Sequence, residues 1–425
     1  MYMIYENALL TIVAAAGSDA NADLPGVRPG TRDLMQQSED LGEGVRALPE
    51  QVGSPRQLVF TADAGVFFKC AQAEWSLFTV DDDYPRVDAS RPSKLSQAFE
   101  PSDEDPADSY VTVMEEYTGR NLTNSADILN AFNTLEFFLR KVLPGRFKQG
   151  IPAIAFDCFI LFEGHGAVLE RRAGFPSWSW VGWKGKVGSL VPQALRATSF
   201  LEDWLKRRTW IVWYYRRRWH PPVPVWHLKD NTKMCGPDED WDTWEGFSFR
   251  DHGCPSDIDP SETEPTEVIA LPPSRCTSHL LQFWTLSIHL TMGRIMQGNG
   301  HIEILDRALL LDIGGEFAGS VALDGQYFTK EDYGKPVEII LLSEVAYEVP
   351  NFDGYQPRVY RDEDMDVYEG PVTRRDERYD LYWAMLIQRD EDGMVAERRG
   401  LGQILKKSVA TSLAPGPAWK EVLLA

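Results

Sequence analysis

Four side chains in the second half of the chain, His252, Cys254, Cys276 and His279, are of the types that ligate zinc. Cys276-x-x-His279 has a workable spacing. His252-x-Cys254 is tighter than the pairs of structural zinc sites, and an acid- and proline-rich stretch of 21 residues separates the two pairs. Isolated Cys and His side chains, with no metal and no cofactor, are therefore the expectation. The run KRRTWIVWYYRRRWH (206–220) sets arginines on both sides of aromatic residues, a pattern that suits nucleic-acid stacking or a nuclear signal. Its central TWIVWYY asks instead for burial in a sheet. Trp178, Trp180 and Trp183 lie in FPSWSWVGWKGKV (175–187), where indoles could cage a cationic ligand. Tryptophans spaced by Ser and Gly more often form a structural core with their N–H groups bonded locally, and that is expected here. No G-x-S-x-G elbow or His-Glu-x-x-His helix occurs, so hydrolase and metalloprotease chemistry finds no support.

These residues sit in a chain of 425, long enough for two or three domains. Its 14 Trp, 15 Tyr and 20 Phe predict an aromatic-rich interior. Against 43 Lys and Arg stand 64 Asp and Glu, a net charge of −21 that argues against general binding to nucleic acid or to anionic membranes. The charge is local: residues 81–108 hold nine acids and three bases, and 235–267 hold eleven acids and one base. Five cysteines without close pairs suit a reducing compartment. No stretch approaches the roughly 18 apolar residues of a membrane span, and residues 8–16 lack the basic flank of a signal peptide. A soluble, cytoplasmic protein is expected.

The elements that would position these residues follow from periodicity. Leu9–Ala15 is apolar throughout, as a strand covered on both faces would be. Residues 56–70 read as a hairpin, with strands 58–61 and 66–70. A helix over 109–120 carries Tyr110, Val113, Met114 and Tyr117 on one stripe. A second helix, capped by Thr123 or Ser125 and running to about Val142, has a wide apolar face from Ile128 to Val142. Trp178 and Trp180 are expected on one face of a strand, and 209–215 as another strand. Strands are further predicted at 280–290, 301–311, 337–347, 382–389 and 394–405, with a hairpin turn at Asp390–Gly393. The class is α+β, mostly antiparallel after residue 150. The chain divides into 1–80, an acidic linker 81–108, a helix pair with the Trp-rich β region 109–234, an acidic Pro-rich loop 235–267, and a β-rich region 268–425.

Several segments resemble the fungal heterokaryon-incompatibility (HET) family. IYENALLTIVAAAGSDANADLPGV (4–27) looks like the late part of a HET domain, where a helix runs into a buried strand and a Leu-Pro-Gly turn. MEEYTGRNLTNSADILNAF (114–132), FPSWSWVGWKGKV, VEIILLSE (337–344) and AERRGLGQI (396–404) look like the region that accompanies HET domains. The motifs that open the family's domain would lie before Met1, so 1–80 is read as a C-terminal remnant of a truncated α/β, TIR-like domain. The family's Arg-x-Trp-Thr-x-Gln-Glu motif would fall at GVRALPE (44–50), where only Glu50 fits. Ser54, Arg56, Leu58 and Phe60 keep part of the pattern that follows it. The resemblance implies a role in self/non-self recognition and programmed cell death through protein partners. HET domains are similar to TIR domains, some of which hydrolyse NAD through a glutamate. Glu50 is the one residue here that could take that role, and most Glu are solvated loop carboxylates. A TIR-like NAD-cleaving enzyme with a restored front, and an inactive fragment or decayed paralogue, are the alternatives.

Overall fold

The structure is a computed structural model that describes residues 11–14, 56–60, 66–70, 74–76, 106–120, 125–143, 145–154, 156–165, 168–190, 209–217, 220–225, 265–266, 279–296, 307–345 and 381–425. The chain divides into two compact units, Met1–Leu143 and Pro144–Ala425.

In the first unit, strands β1 (Thr11–Ala14), β2 (Arg56–Phe60), β3 (Val66–Cys70) and β4 (Glu74–Ser76) form a sheet in that order. The expected hairpin is present, with Phe60 opposite Val66. The apolar strand at the N-terminus finds its neighbour downstream: β1 runs parallel to β2, Thr11 beside Gln57. Among the described residues it is an edge strand of this sheet. Helices α1 (Pro106–Thr118) and α2 (Ile128–Val142) carry the predicted stripes. Tyr110, Val113, Met114 and Tyr117 are buried on α1, and Ile128, Phe132, Leu135 and Leu139 on α2. Tyr117 joins the pair, donating its hydroxyl to the Ile128 carbonyl at 2.6 Å and packing on Phe132 at 5.2 Å. Of the two expected caps, Thr123 lies outside the described residues, and Ser125 is not at the N-cap. A short 3₁₀ turn, Ser125–Asp127, leads into α2, and Asp127 at the N-cap makes no side-chain cap bond.

The second unit begins with short elements: β5 (Phe147–Lys148), β6 (Ile151–Pro152), α3 (Phe156–Phe159), β7 (Phe162–Gly164), β8 (Glu170–Arg171), β9 (Trp183–Lys184) and β10 (Val187–Ser189). The chain continues through β11 (Tyr214–Arg216), β12 (Val223–Pro224), β13 (Leu280–Met296), β14 (Arg307–Leu311), β15 (Phe317–Leu323), β16 (Pro336–Glu344), β17 (Leu381–Arg389), β18 (Ala396–Leu405), helix α4 (Lys407–Ala410) and β19 (Ala418–Leu424). The pairing β13–β14–β15–β18–β17–β16 returns from β16 to β13, so six antiparallel strands close on themselves as a barrel. Closure removes the sheet edges that strands so apolar would otherwise expose. Register shifts in β13–β14, β14–β15, β16–β17 and β17–β18 provide the local bends that a small barrel needs. Gly402 allows β18 to approach β15: a Cβ there would lie 2.1 Å from the Ser320 carbonyl oxygen. The 17-residue β13 extends past the barrel, where its first half pairs with β19 and β11.

The α+β class with an antiparallel C-terminal region is observed. Two strand expectations are corrected. Of residues 209–215 only Tyr214 and Tyr215 enter a strand, β11, and Thr209 makes an isolated bridge to Ser343. The side chains of Thr209 and Trp213 are held instead by a buried carboxylate. Trp178 and Trp180 do not share a strand, because the chain turns through a 3₁₀ segment, Trp180–Gly182, capped by Ser179. Gly182 folds back closely on Pro176, where a Cβ would sit 2.1 Å from the Pro176 oxygen. Strands β15 and β19 were not anticipated, since their polar and glycine positions blur the alternation. Among the described residues no helix is long and apolar enough to cross a membrane.

Candidate functional site

The sequence 175–187 forms the centre of the second unit. Trp178, Trp180 and Trp183 are fully or almost fully buried. Each indole N–H donates to a backbone carbonyl: Trp178 to His279 (3.2 Å), Trp180 to Gly150 (3.3 Å) and Trp183 to Ser177 (2.8 Å). The intervening serines are equally committed. Ser179 donates to the Gln149 carbonyl at 2.5 Å, and Ser177 accepts from the Arg398 amide at 2.9 Å. The aromatic wall is thus closed by its own hydrogen bonds rather than open to a ligand.

Arg398 lies behind this wall and is completely buried. Its guanidinium forms a fork with Asp324, Nε to Oδ2 at 2.6 Å and Nη2 to Oδ1 at 3.0 Å. Nη1 donates to the Ile160 carbonyl at 3.4 Å, Nη2 also donates to the Phe162 carbonyl, and the group stacks 3.8 Å above the Phe162 ring. Two charges removed from water persist only with such full pairing. AERRGLGQI does not reveal this role, because its two arginines are indistinguishable by type. Arg398 is completely buried, whereas Arg399 keeps a small solvent-accessible part and stacks 3.9 Å over Tyr327.

A second buried charge site is built on α3. Asp157 Oδ1 accepts from the Thr209 hydroxyl at 2.5 Å and from the Trp213 indole at 2.7 Å. Its Oδ2 is buried without a hydrogen-bond partner among the described residues. Burial pushes the carboxyl up to about 7, against the two side-chain hydrogen bonds and its own backbone, which pull it down. A lone acid in the apolar run IPAIAFDCFILF was the available signal.

Toward the surface, the aromatic series continues from Phe283 through Trp213, Phe156 and Trp178 to Tyr215, with ring centroids 4.3 to 6.4 Å apart. The Tyr215 hydroxyl meets Nδ1 of His279. Lys148 Nζ stands 4.8 Å from the Tyr215 ring centre and the Arg217 guanidinium 5.9 Å from it. Burial and then the Arg217 charge lower the His279 pKa, and burial, Arg217 and Arg146 lower that of Lys148. Burial raises that of Tyr215, opposed by hydrogen bonds from Gln149 and Arg217 and by the Arg217 charge.

Of the four residues considered for zinc, only His279 is described, and its ring engages Tyr215. His252, Cys254, Cys276 and Glu50 lie outside the described residues. Among the described residues no group of three or more His, Cys, Asp or Glu is placed to hold a metal ion. In the basic–aromatic run, Trp210, Trp213 and Tyr215 are buried, and Arg216 bonds to Gln282 at 2.9 Å. Comparison with protein-family models, with curated proteins and with solved structures finds no match to this chain.

Proposed function

We propose that this chain is a HET-family protein of filamentous fungi that acts in self/non-self recognition and programmed cell death, in the cytoplasm and through protein–protein contact. The observation that supports this reading is the convergence of segments that carry the resemblance. FPSWSWVGWKGKV, VEIILLSE and AERRGLGQI are far apart in sequence. Yet β16 pairs with β17, β17 with β18, and Ser177 caps the Arg398 amide from behind. Segments that share a family pattern and also share one hydrogen-bonded core form a coherent module. Its indoles and its buried ion pair are committed to structure, which favours a scaffold for recognition over a reaction centre.

The sheet β1–β4 is read as the closing part of a TIR-like HET domain on sequence resemblance alone. An NAD-hydrolysing activity would attach to Glu50 and to a product that carries the family's opening motifs.

The test is regulated expression of the 425-residue chain in a filamentous fungus, with hyphal death scored by dye uptake in strains of differing incompatibility type. Death that depends on the strain, and that a Trp180→Ala variant abolishes, supports the proposal. Stable accumulation with no death in any strain points to an inactive fragment. Release of nicotinamide from NAD by the purified chain, faster than by Glu50→Ala, would move the assignment to the enzyme.

A further inference from the structure

The group around Tyr215 has a property that the function proposed above does not use. In a chain of net charge −21, three cations gather at one half-buried spot. Lys148 and Arg217 both stand within 6 Å of the Tyr215 ring centre, and Arg146 leads into β5 two residues before Lys148. Among the described residues, the charges that act on Lys148 are these two arginines, and the one that acts on His279 is Arg217. No carboxylate is among them. Other basic residues of this unit are matched, as Lys184 is by Glu170 at 2.7 Å and Arg389 by Glu338 at 2.7 Å. Like charges held together and partly desolvated raise the free energy of the fold unless an anion offsets them.

The cluster is also rigidly built. Lys148 ends β5, and the tight turn to β6 that follows it is made by Gln149 and Gly150, with φ of 51° and 79°. Trp180 clamps that turn through the Gly150 carbonyl, and a Cβ on Gly150 would lie 2.4 Å from the indole. Tyr215 is fixed from below by Trp178 at 6.4 Å and beside it by His279. Arg146 and Arg217 are exposed, so the cluster opens to solvent on their side. Cations carried on a fixed turn and strand recognise a compact oxyanion with less ordering on binding than a flexible loop would need.

We infer that Lys148, Arg217 and Arg146, with His279 and Tyr215 at the floor, bind a phosphate-type oxyanion, either free phosphate or the phosphoryl group of a small monoester. The site does not rest on the HET reading, and either can fail without the other.

The experiment is isothermal titration calorimetry of the full chain with inorganic phosphate and, separately, with adenosine monophosphate, the ionic strength being held with chloride. Arg217→Gln and Lys148→Gln are compared with Lys184→Gln, a control away from the cluster. Near-UV circular dichroism checks that each variant is folded; Arg217, being exposed, keeps the test alive if Lys148→Gln fails to fold. The expected result is binding that weakens roughly ten- to hundredfold on loss of either cation, the worth of a charge-assisted hydrogen bond, with the control unchanged. Preference for phosphate assigns the site to the free ion, and preference for adenosine monophosphate to an ester. Equal binding by all three variants, no heat with either probe at millimolar concentration, or binding of a single-stranded oligoribonucleotide alone would overturn the inference.

Discussion

Replacing Asp157 by Asn should remove one pH-dependent component of stability while leaving the fold intact. The carboxyl is wholly buried, its midpoint is displaced from 3.8 to about 7, and no charged group is among the causes. A raised folded-state midpoint means that the native protein keeps a proton that the unfolded chain releases. The associated stability is complete below about pH 4, falls as pH rises, and is lost once pH passes about 7. At about 1.4 kcal/mol per pH step, the loss amounts to about 4 kcal/mol across that window. Asn has the shape of the protonated acid, and its Oδ1 can accept the same bonds from Thr209 and Trp213. The amide leaves an N–H without a partner, a constant offset of about 1–3 kcal/mol that does not vary with pH. The measurement is urea unfolding of parent and variant at a series of pH values, followed by tryptophan fluorescence. Thirteen of the 14 tryptophans lie in 144–425, so the signal reports the unit that contains Asp157. Variant stability minus parent stability should climb by about 4 kcal/mol from about pH 4 to 7 and level off above. A difference independent of pH would refute the reasoning, because it would mean that Asp157 titrates alike in both states.

Three further outcomes follow from the same unit. Arg398→Ala should destabilise it by about 3–5 kcal/mol in urea unfolding, since Asp324 is left charged and buried; a double Arg398→Met, Asp324→Leu variant should recover most of that loss. Trp180→Ala should cost about 3–5 kcal/mol, seen as a lower melting temperature, because it empties a fully buried site and frees the Gly150 carbonyl. Gly150→Ala should lower the melting temperature through a strained φ of 79° and a clash with Trp180, by about 1–3 kcal/mol, whereas Gly145→Ala, with nothing within 4 Å, should carry the φ strain alone.

How much of this was legible beforehand differs by element. The helix stripes from Tyr110 to Tyr117 and from Ile128 to Leu139 were readable because a 3.6-residue period needs only local sequence. The hairpin 56–70 and the turn Asp390–Gly393 were readable for the same reason; Asp390 Oδ1 accepts the Met394 amide at 2.9 Å and Gly393 has φ of 70°. The strand expected over 209–215 was misread, because aromatic and β-branched residues favour burial, and burial here is achieved by side-chain bonds to Asp157 rather than by a ladder.

The two helix stripes, the antiparallel β-rich C-terminal region and the burial of Trp178, Trp180 and Trp183 follow from the order of residues alone. Each of these is set by short-range periodicity and by the transfer of apolar surface from water. The closure of six strands into a barrel, the burial of Arg398 rather than Arg399, and the meeting of Lys148 and Arg217 at Tyr215 arise from long-range pairing. Those outcomes depend on residues far apart in the chain, such as Ser287 with Ile340, Lys148 with Arg217 and Arg398 with Ile160. No local pattern encodes which distant partner a strand or a charge will meet. Closure of the chain on itself does.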